Sequence, residues 1–479
     1  MYATTIGRTF LKAYNCKFKT EYTARSFFED MFVPLFFDHH KYMMTAGNSP
    51  LENPKLSWDD MIKGKKPFET PERRQERISK MIHKIETEKA DASIAIGYGV
   101  VDATAATTGQ ISSIAFPDNK EDIYLSWIGA GLGIGVVGGL TILFNHEQLL
   151  LDIFEGWHYY RQYLERYPLL KGNQINTWNG RWISHRYDRE YDLDDPLMNF
   201  NPLVPMSDGL FNLQTVPWAE VIAGIARNNP TSNIVGYLYS IGQTNTTVGF
   251  IPFKLQDIIR PSQLYAKVFG ESVWIQNRKK VEALYGTAIG LRAACQAGCI
   301  GIPAMEPKGL RAFFPTEKGM KKISYKGDEE QEITFNTYLI WILAMLNNEK
   351  LWDMSREFAE MLLKYEAGAG KGRKDRTNNV NQLLESVSTK QFLLNLIPIV
   401  KDEEERTGYE NMGKMVNMMP KDNFPYFNTL IRFQYALYYY YETLHLFEGI
   451  ASYRPIRILC REWSKIILGS CIQSAGAFL

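Results

Sequence analysis

Cysteine is scarce in this chain, and an apolar N-terminal run is missing. There are five cysteines among 479 residues, and only Cys295 and Cys299 lie close together. Their C-x-x-x-C spacing lacks the second pair of a zinc site, so we interpret them as small buried thiols. Residues 1–14 lack the long apolar stretch of a secretory signal. Few cysteines and no such signal favour a reducing, cytoplasmic compartment.

An excess of charge of either sign is also missing. The 54 lysines and arginines balance the 53 aspartates and glutamates to a net charge of +1. This excludes a uniformly basic nucleic-acid coat, so an anion-binding site must come from a local patch. The chain is 45% hydrophobic and 22% charged. Those values exclude a disordered chain and a collagen. At roughly 150 residues per domain, the length predicts two to four domains.

A long apolar run over residues 125–145 carries no charge and contains six glycines. It is just long enough to span a bilayer, but no cluster of lysine or arginine flanks it to orient such a span. The alternative is a buried strand, a glycine turn and a second apolar element. The segment also holds a G-x-G-x-x-G motif at Gly133–Gly138. Residues 124–128 would be the strand before a nucleotide-binding turn, yet no βαβ alternation follows.

The pattern of the remaining chain predicts an α+β protein, with a mixed N-terminal α/β body and a C-terminal helical bundle. Three regions are predicted: a mixed region over 1–166, a strand-containing region over 167–327, and a helical bundle over 333–479. Apolar residues at helical spacing and capping residues define most helices. A polar loop between two β-branched runs predicts a hairpin over 233–240 and 247–253. The predicted helices cover 24–37, 71–88, 147–166, 281–295, 334–365 with a break allowed near Asn347, 379–384, 389–405, 409–418, 424–446 and 455–472.

Catalytic signatures are weak. Asp38-His39-His40 matches the metal-binding tripeptide of the DHH phosphoesterases, but residues 1–29 contain no aspartate to complete that site. Five acidic residues over 188–195 form either a solvated loop or a site for a divalent cation. The segment between Trp178 and Trp182 is interpreted as a turn with aromatic anchors. The alternative is an aromatic platform on which a ligand stacks. No catalytic residue, metal ligand or cofactor is therefore predicted.

Basic clusters carry the strongest functional signal, although a solvated surface remains the alternative for each. A glycine-rich stretch over 368–376, read as a loop between two bundle helices, holds four cations and one acid. Flexible point charges of this kind suit a phosphate backbone. The clusters that together favour one nucleic-acid face are Lys63, Lys65 and Lys66; Arg278, Lys279 and Lys280; and Lys371, Arg373, Lys374 and Arg376.

Short sequence segments in the predicted bundle resemble those of a known family. Asn381-Gln-Leu-Leu-Glu385, Thr389-Lys-Gln-Phe-Leu393 and Phe424-Pro-Tyr-Phe-Asn-Thr-Leu-Ile-Arg-Phe433 resemble the large subunit of type I CRISPR surveillance (Cascade) complexes of the A and B subtypes. The layout of a mixed body followed by a helical bundle is similar too. The resemblance covers about a third of the chain. Some relatives carry paired C-x-x-C motifs, which this chain lacks, so the subtype stays open.

The resemblance implies a non-catalytic subunit of an RNA-guided antiviral defence complex. Such a subunit reads a short flanking motif on duplex DNA, aids strand opening and recruits a separate nuclease. Its expected partners are the DNA target, the guide RNA and the other subunits, with no membrane. Residue chemistry adds Gln243 and Asn245 as readers of base edges, because amides pair with adenine, and the 371–376 cations as holders of the displaced strand. The alternatives are a metal-dependent nuclease, a nucleotide-binding enzyme, and a membrane-associated or structural protein using residues 125–144.

Overall fold

The structure, a computed structural model, describes residues 2–47, 49–52, 58–98, 119–231, 233–240, 246–368 and 372–448. Helices dominate and a small antiparallel sheet accompanies them, so the predicted α+β class is confirmed. The chain forms two compact units. The first comprises Met1–Gln256 with Gly290–Ile300, and the second comprises Asp257–Ile289 with Gly301–Leu479. Residue 166, where the first predicted region ends, lies inside the first unit.

The first unit begins with helices whose starts follow from capping chemistry. The α5 helix has Thr70 as its N-cap, whose side chain accepts from the backbone N–H of Arg73, and Pro71 at its first turn, as predicted. The α7 helix covers the predicted range, and the predicted helix over 24–37 is present with a π-helical turn at Phe28–Phe32. The helices are α1 (Tyr2–Phe18), α2 (Ala24–Phe27), α3 (Val33–Phe36), α4 (Trp58–Ile62), α5 (Pro71–Thr87), α6 (Lys120–Gly131), α7 (Glu147–Arg166), α8 (Ile175–Arg186) and α9 (Trp218–Asn228).

Helices α1 and α6 pack with their backbones in direct contact. A Cβ atom on Gly7 would lie 2.1 Å from the carbonyl oxygen of Leu125, and one on Gly129 would lie 1.9 Å from that of Ala3. Only glycine permits this approach. The aromatic rings of Phe10 and Trp157 pack beside it, with centroids 6.1 Å apart, and both residues are fully buried. Gly7 and Gly129 therefore allow the close packing of these two helices.

The uncharged segment 125–145 is divided among three elements, so neither a membrane span nor a nucleotide-binding turn forms. It contains the end of α6, strand β1 (Ile134–Val136) and strand β2 (Leu140–Phe144). Gly138 and Gly139 have φ of 98° and 70°, which reverses the chain into an antiparallel hairpin. Residues 124–128, expected as a strand, are helical. Within the described residues, no helix combines the length and apolarity needed to cross a membrane.

A four-stranded antiparallel sheet in the order β1-β2-β5-β6 completes the first unit. Strands β5 (Asn233–Ser240) and β6 (Thr246–Lys254) form the predicted hairpin, with Tyr237 opposite Phe250. The buried Leu238 faces the core, whereas Phe250 is 60% exposed. This alternation is typical of an antiparallel sheet with one solvated face. A separate two-stranded ribbon joins β3 (Leu203–Pro205) to β4 (Phe211–Leu213).

The tryptophan pair that was predicted to anchor a turn lies instead on helix α8. Trp178 and Trp182 are one helical turn apart and both are fully buried. Their indole N–H groups donate to the carbonyl oxygens of Gly156 and Asp152, each at 2.7 Å. Both rings are committed to packing against α7, so the alternative of a stacking platform for a ligand is wrong.

The second unit is helical, as the predicted bundle requires. Asn347 has φ of 51° and separates α13 from α14, where the sequence allowed a break. One predicted helix over 281–295 is wrong, because the chain leaves helix after Leu284 and turns at Gly286, where φ is 71°. The predicted helix 455–472 lies outside the described residues. The helices are α10 (Leu255–Phe269), α11 (Glu271–Leu284), α12 (Leu291–Cys295, in the first unit), α13 (Glu329–Leu346), α14 (Lys350–Ala367), α15 (Arg373–Leu384), α16 (Thr389–Asp402), α17 (Thr407–Met418) and α18 (Phe424–Glu448).

Candidate nucleic-acid interface

The basic cluster after α4 is largely neutralised by acids of its own unit. Lys63 Nζ lies 3.1 Å from an Asp208 carboxylate oxygen, and Lys66 Nζ lies 3.2 Å from one of Asp60. Lys65 is exposed. Exposed pairs of this kind contribute only about 0–1 kcal/mol to stability. They nevertheless leave the cluster with little net positive charge to offer a phosphate.

The cluster on α11 contains a buried arginine. Arg278 is 5% exposed, and its guanidinium lies 3.6 Å from Glu282 one turn along the helix. Lys280 is exposed and lies 3.7 Å from Glu329, while Lys279 is exposed. Burial and the ion pair with Glu282 give Arg278 a packing role in the unit. Its contact with nucleic acid stays a prediction.

Three predicted site residues, Gln243, Asn245 and Lys371, lie outside the described residues. The strands that flank the first two carry an aromatic patch on the solvated face of the sheet. Tyr237 and Phe250 have ring centroids 5.1 Å apart, and Tyr2 of α1 lies 4.8 Å and 5.0 Å from them.

The remaining cations begin a helix, although the sequence placed them in a loop. Arg373 and Lys374 occupy the first turn of α15 and are exposed. The N-cap is Gly372, with φ of 113°, and no side chain of the described residues caps the first N–H groups. The dipole of a helix disfavours cations at its N-terminus by roughly 0.3–1 kcal/mol each. An anion at that end would relieve this cost, because it would contact both the cations and the uncapped N–H groups.

Arg376 has a different role from its two neighbours. Its guanidinium donates a hydrogen bond to the carbonyl oxygen of Gly368, at the end of α14, and the side chain is half-buried. It therefore ties the end of α14 to α15 and satisfies a helix-terminal carbonyl. Two of the four predicted cations of this cluster, Arg373 and Lys374, remain presented to solvent among the residues that the structure describes.

The face of α15 that carries these two cations continues into a cleft of about 1020 Å³ within the second unit. At 100° per residue, Arg373, Thr377 and Lys374 fall on one arc of the helix with Asn381 and Leu384. The last two and Thr377 line the cleft. The cations therefore stand at the edge of the cleft, about one turn from its lining residues.

Tyrosines form much of the opposite wall. Tyr435 and Tyr439 of α18 are near-parallel, with centroids 6.4 Å apart and planes at 25°. Tyr325 and Tyr440 form a second pair at 6.4 Å and 33°. Tyr439 is 51% exposed. The hydroxyl of Tyr325 is buried and has no hydrogen-bond partner among the described residues.

The tyrosine wall is held in place by a carboxylate. Glu366 accepts hydrogen bonds from the hydroxyls of Tyr435 and Thr377, the latter at 2.7 Å. Burial and this carboxylate raise the pKa of Tyr435 well above its usual value. The two hydrogen bonds link α14 to α15 and α14 to α18. They therefore fix the spacing of these three helices along the cleft.

Charges in the cleft are mainly negative at the surface. Glu317 and Glu385 are exposed lining residues, and Lys322 is exposed beside them. Arg432 is 6% exposed and donates to the carbonyl oxygens of Phe313 and Lys321. Burial lowers the pKa of its guanidinium to about 10. Arg432 is therefore a packing element, and the acids make the interior of the cleft unfavourable for a phosphate.

The residues weighed for metal chemistry do not form a centre. The imidazoles of His39 and His40 have centroids 4.0 Å apart and lie beside Lys41, Arg74 and Arg161. Cations in those positions repel a metal ion. The acidic run over 188–195 lies in an irregular segment after α8. No group of three His, Cys, Asp or Glu side chains within the described part of the chain is arranged to hold a metal.

The cysteine pair fits the thiol interpretation. Cys295 is buried at the end of α12, and burial raises the pKa of its thiol to about 11. Such a group stays protonated at neutral pH and is a poor nucleophile. Cys299 is half-buried and also unbridged.

The tyrosine cleft is the feature that the sequence did not reveal. Its residues come from four separate stretches between 315 and 440, which only the fold brings together. One signal was available: Tyr435 and the run Tyr438–Tyr441 place tyrosines on several faces of one predicted helix. Comparison with protein-family models, curated proteins and solved structures gives no match for this chain.

Proposed function

We propose that this chain is a non-catalytic, cytoplasmic, DNA-binding large subunit of an RNA-guided antiviral defence complex. In that role it reads a short flanking motif on duplex DNA, aids opening of the duplex and recruits a separate nuclease. Its partners are the target DNA, the guide RNA and the other subunits. The resemblance of residues 381–393 and 424–433 to such subunits motivates the proposal.

One observation in the structure carries the nucleic-acid part of this proposal. Arg373 and Lys374 stand exposed at the start of α15, where the helix has no side-chain cap. Two exposed cations beside the N–H groups of a helix start suit the oxygen atoms of a phosphate. In a chain of net charge +1, such a local patch must supply the attraction to a polyanion.

The direct test is co-purification. The tagged full-length chain is expressed with its genomic neighbours, and the absorbance ratio at 260 and 280 nm is recorded with the identities of the co-purifying molecules. We expect a discrete short RNA together with partner proteins in fixed stoichiometry. A chain that purifies alone and free of nucleic acid, while its neighbours assemble without it, would contradict the proposal.

A further inference from the structure

The cleft beside α15 has the shape and lining of a site for planar aromatic groups. Its lining includes two near-parallel tyrosine pairs, and Tyr439 is 51% exposed. Stacking on tyrosine rings is favourable for every nucleobase, because each base has a π-face. The volume of about 1020 Å³ lies at the upper end of the usual range for small-molecule sites, roughly 300–1,000 Å³. More than one base can therefore enter.

The charges around the cleft favour different positions for a base and for its phosphate. Glu317 and Glu385 line the cleft and repel a phosphate, whereas Arg373 and Lys374 stand at its edge on the same face of α15. A nucleic-acid strand satisfies both conditions when its phosphates follow the cations and its bases turn inward. The buried hydroxyl of Tyr325, which lacks a partner among the described residues, is then a hydrogen-bonding group for an inserted base.

Only an unpaired strand can use such a site. In a duplex the bases are stacked on each other and their faces are covered, so they do not reach a wall of tyrosines. A peptide of acidic character would meet the edge cations but would be repelled by Glu317 and Glu385. The combination of aromatic faces inside and cations outside fits single-stranded nucleic acid better than either alternative.

We propose that the cleft between α15 and α18 binds bases of a single-stranded nucleic acid, stacked on Tyr439 and its neighbours, while Arg373 and Lys374 bind the adjacent phosphates. This assignment rests on the proposed function only in requiring that the chain meets a nucleic acid. It adds a base-binding site, at residues that the basic clusters do not include.

The test compares Tyr439→Ala with Tyr439→Phe in the full-length chain. Binding of a fluorescein-labelled 12-nucleotide single-stranded DNA is followed by anisotropy, and a second oligonucleotide carries 2-aminopurine, whose fluorescence falls on stacking. We expect Tyr439→Ala to weaken binding by roughly five- to a hundredfold, from the usual contribution of one stacked base, and to reduce the fluorescence change. Tyr439→Phe keeps the ring and should bind within twofold of the wild type.

Leu394→Ala is the matched control, since Leu394 is a 56% exposed apolar side chain on α16 that does not line the cleft. It should leave both signals unchanged. Thermal unfolding of each variant verifies that it folds, and the half-exposed position of Tyr439 favours that. If Tyr439→Ala binds like the wild type with the same 2-aminopurine signal, the base site is overturned while nucleic-acid binding stands. If the wild type binds no single strand, the base site is likewise overturned, whereas the proposed function is decided separately by the co-purification.

Discussion

Burial, helped by nearby cations, holds two neighbouring imidazoles neutral in the first unit. Burial is the main cause that lowers the pKa of His39 to about 3, and Arg161, His40 and Arg74 add to it. Burial and Lys41 lower the pKa of His40 to about 4. Nδ1 of His39 accepts the backbone N–H of Lys41 at 3.1 Å, a bond that only the unprotonated nitrogen can make.

This arrangement predicts a loss of stability in mild acid. The pKa of His39 is lower in the folded chain than in the unfolded chain, where it is about 6.5. The stabilisation is complete above pH 6.5 and is lost as the pH falls from 6.5 towards 3. Between pH 7 and pH 5 the wild type should lose about 1 kcal/mol more unfolding free energy than His39→Asn, after allowance for partial exposure of the imidazole. Urea unfolding at the two pH values measures this difference.

His83→Asn is the control, because His83 is exposed on α5. Its loss of unfolding free energy between pH 7 and pH 5 should equal that of the wild type. An equal loss in His39→Asn as well would show that His39 does not carry the effect.

At the same scale, residue types were easier to predict than their partners. The sequence identified every cation of the 371–376 cluster, but burial and pairing decide which of them can meet a ligand. Arg278 and Arg376 look like Arg373 in sequence, yet one is ion-paired with Glu282 inside the unit and the other caps α14. The Arg278–Glu282 pair has the i,i+4 spacing of a helix, but the burial of Arg278 and the bond from Arg376 to Gly368 do not follow from local spacing.

At the scale of elements, the contact between α1 and α6 depends on two glycines. Gly7 and Gly129 place each helix against the backbone carbonyls of the other, with no room for a methyl group. Only glycine fits at these two positions, because any added side-chain atom must push the helices apart.

Gly129→Ala should therefore destabilise the first unit by about 1–3 kcal/mol, the typical cost of overpacking a close contact. The methyl group would lie 1.9 Å from the carbonyl oxygen of Ala3. Chemical denaturation followed by circular dichroism measures the change.

Gly224→Ala in α9 is the matched control, because its methyl group would meet Tyr187 at 3.4 Å, near ordinary contact distance. Alanine favours helix over glycine by roughly 1 kcal/mol, so this variant should be neutral or more stable. Equal destabilisation in both variants would contradict the role given to the α1–α6 contact.

Elements with strong local signals were predicted well, and those defined by long-range packing were not. Local sequence signals predicted three elements: the cap at Thr70, the amphipathic helix over 147–166, and the hairpin of β5 and β6. The segment 125–145 does not, because an uncharged run with glycines is compatible with a span, a strand or a hairpin. Only the left-handed backbone at Gly138 and Gly139 decides among them.

At the scale of the whole molecule, the near-zero net charge determines how binding must depend on salt. A chain of net charge +1 has no general attraction for a polyanion, so its affinity should come from a few local contacts. The number of those contacts is measurable, because each neutralised phosphate of a single strand contributes about 0.7 to the slope of log affinity against log salt.

The most direct measurement is this slope for the wild type, for the double variant Arg373→Ala/Lys374→Ala, and for the control Lys390→Ala/Lys401→Ala. The control changes the net charge equally but alters exposed lysines of α16, away from the cleft. Anisotropy of a fluorescein-labelled single-stranded DNA is recorded over a series of salt concentrations. The account predicts that the slope falls by about 1.4 in the first variant and stays unchanged in the control. Equal slopes and affinities for all three proteins would contradict the assignment of the start of α15 as the nucleic-acid contact.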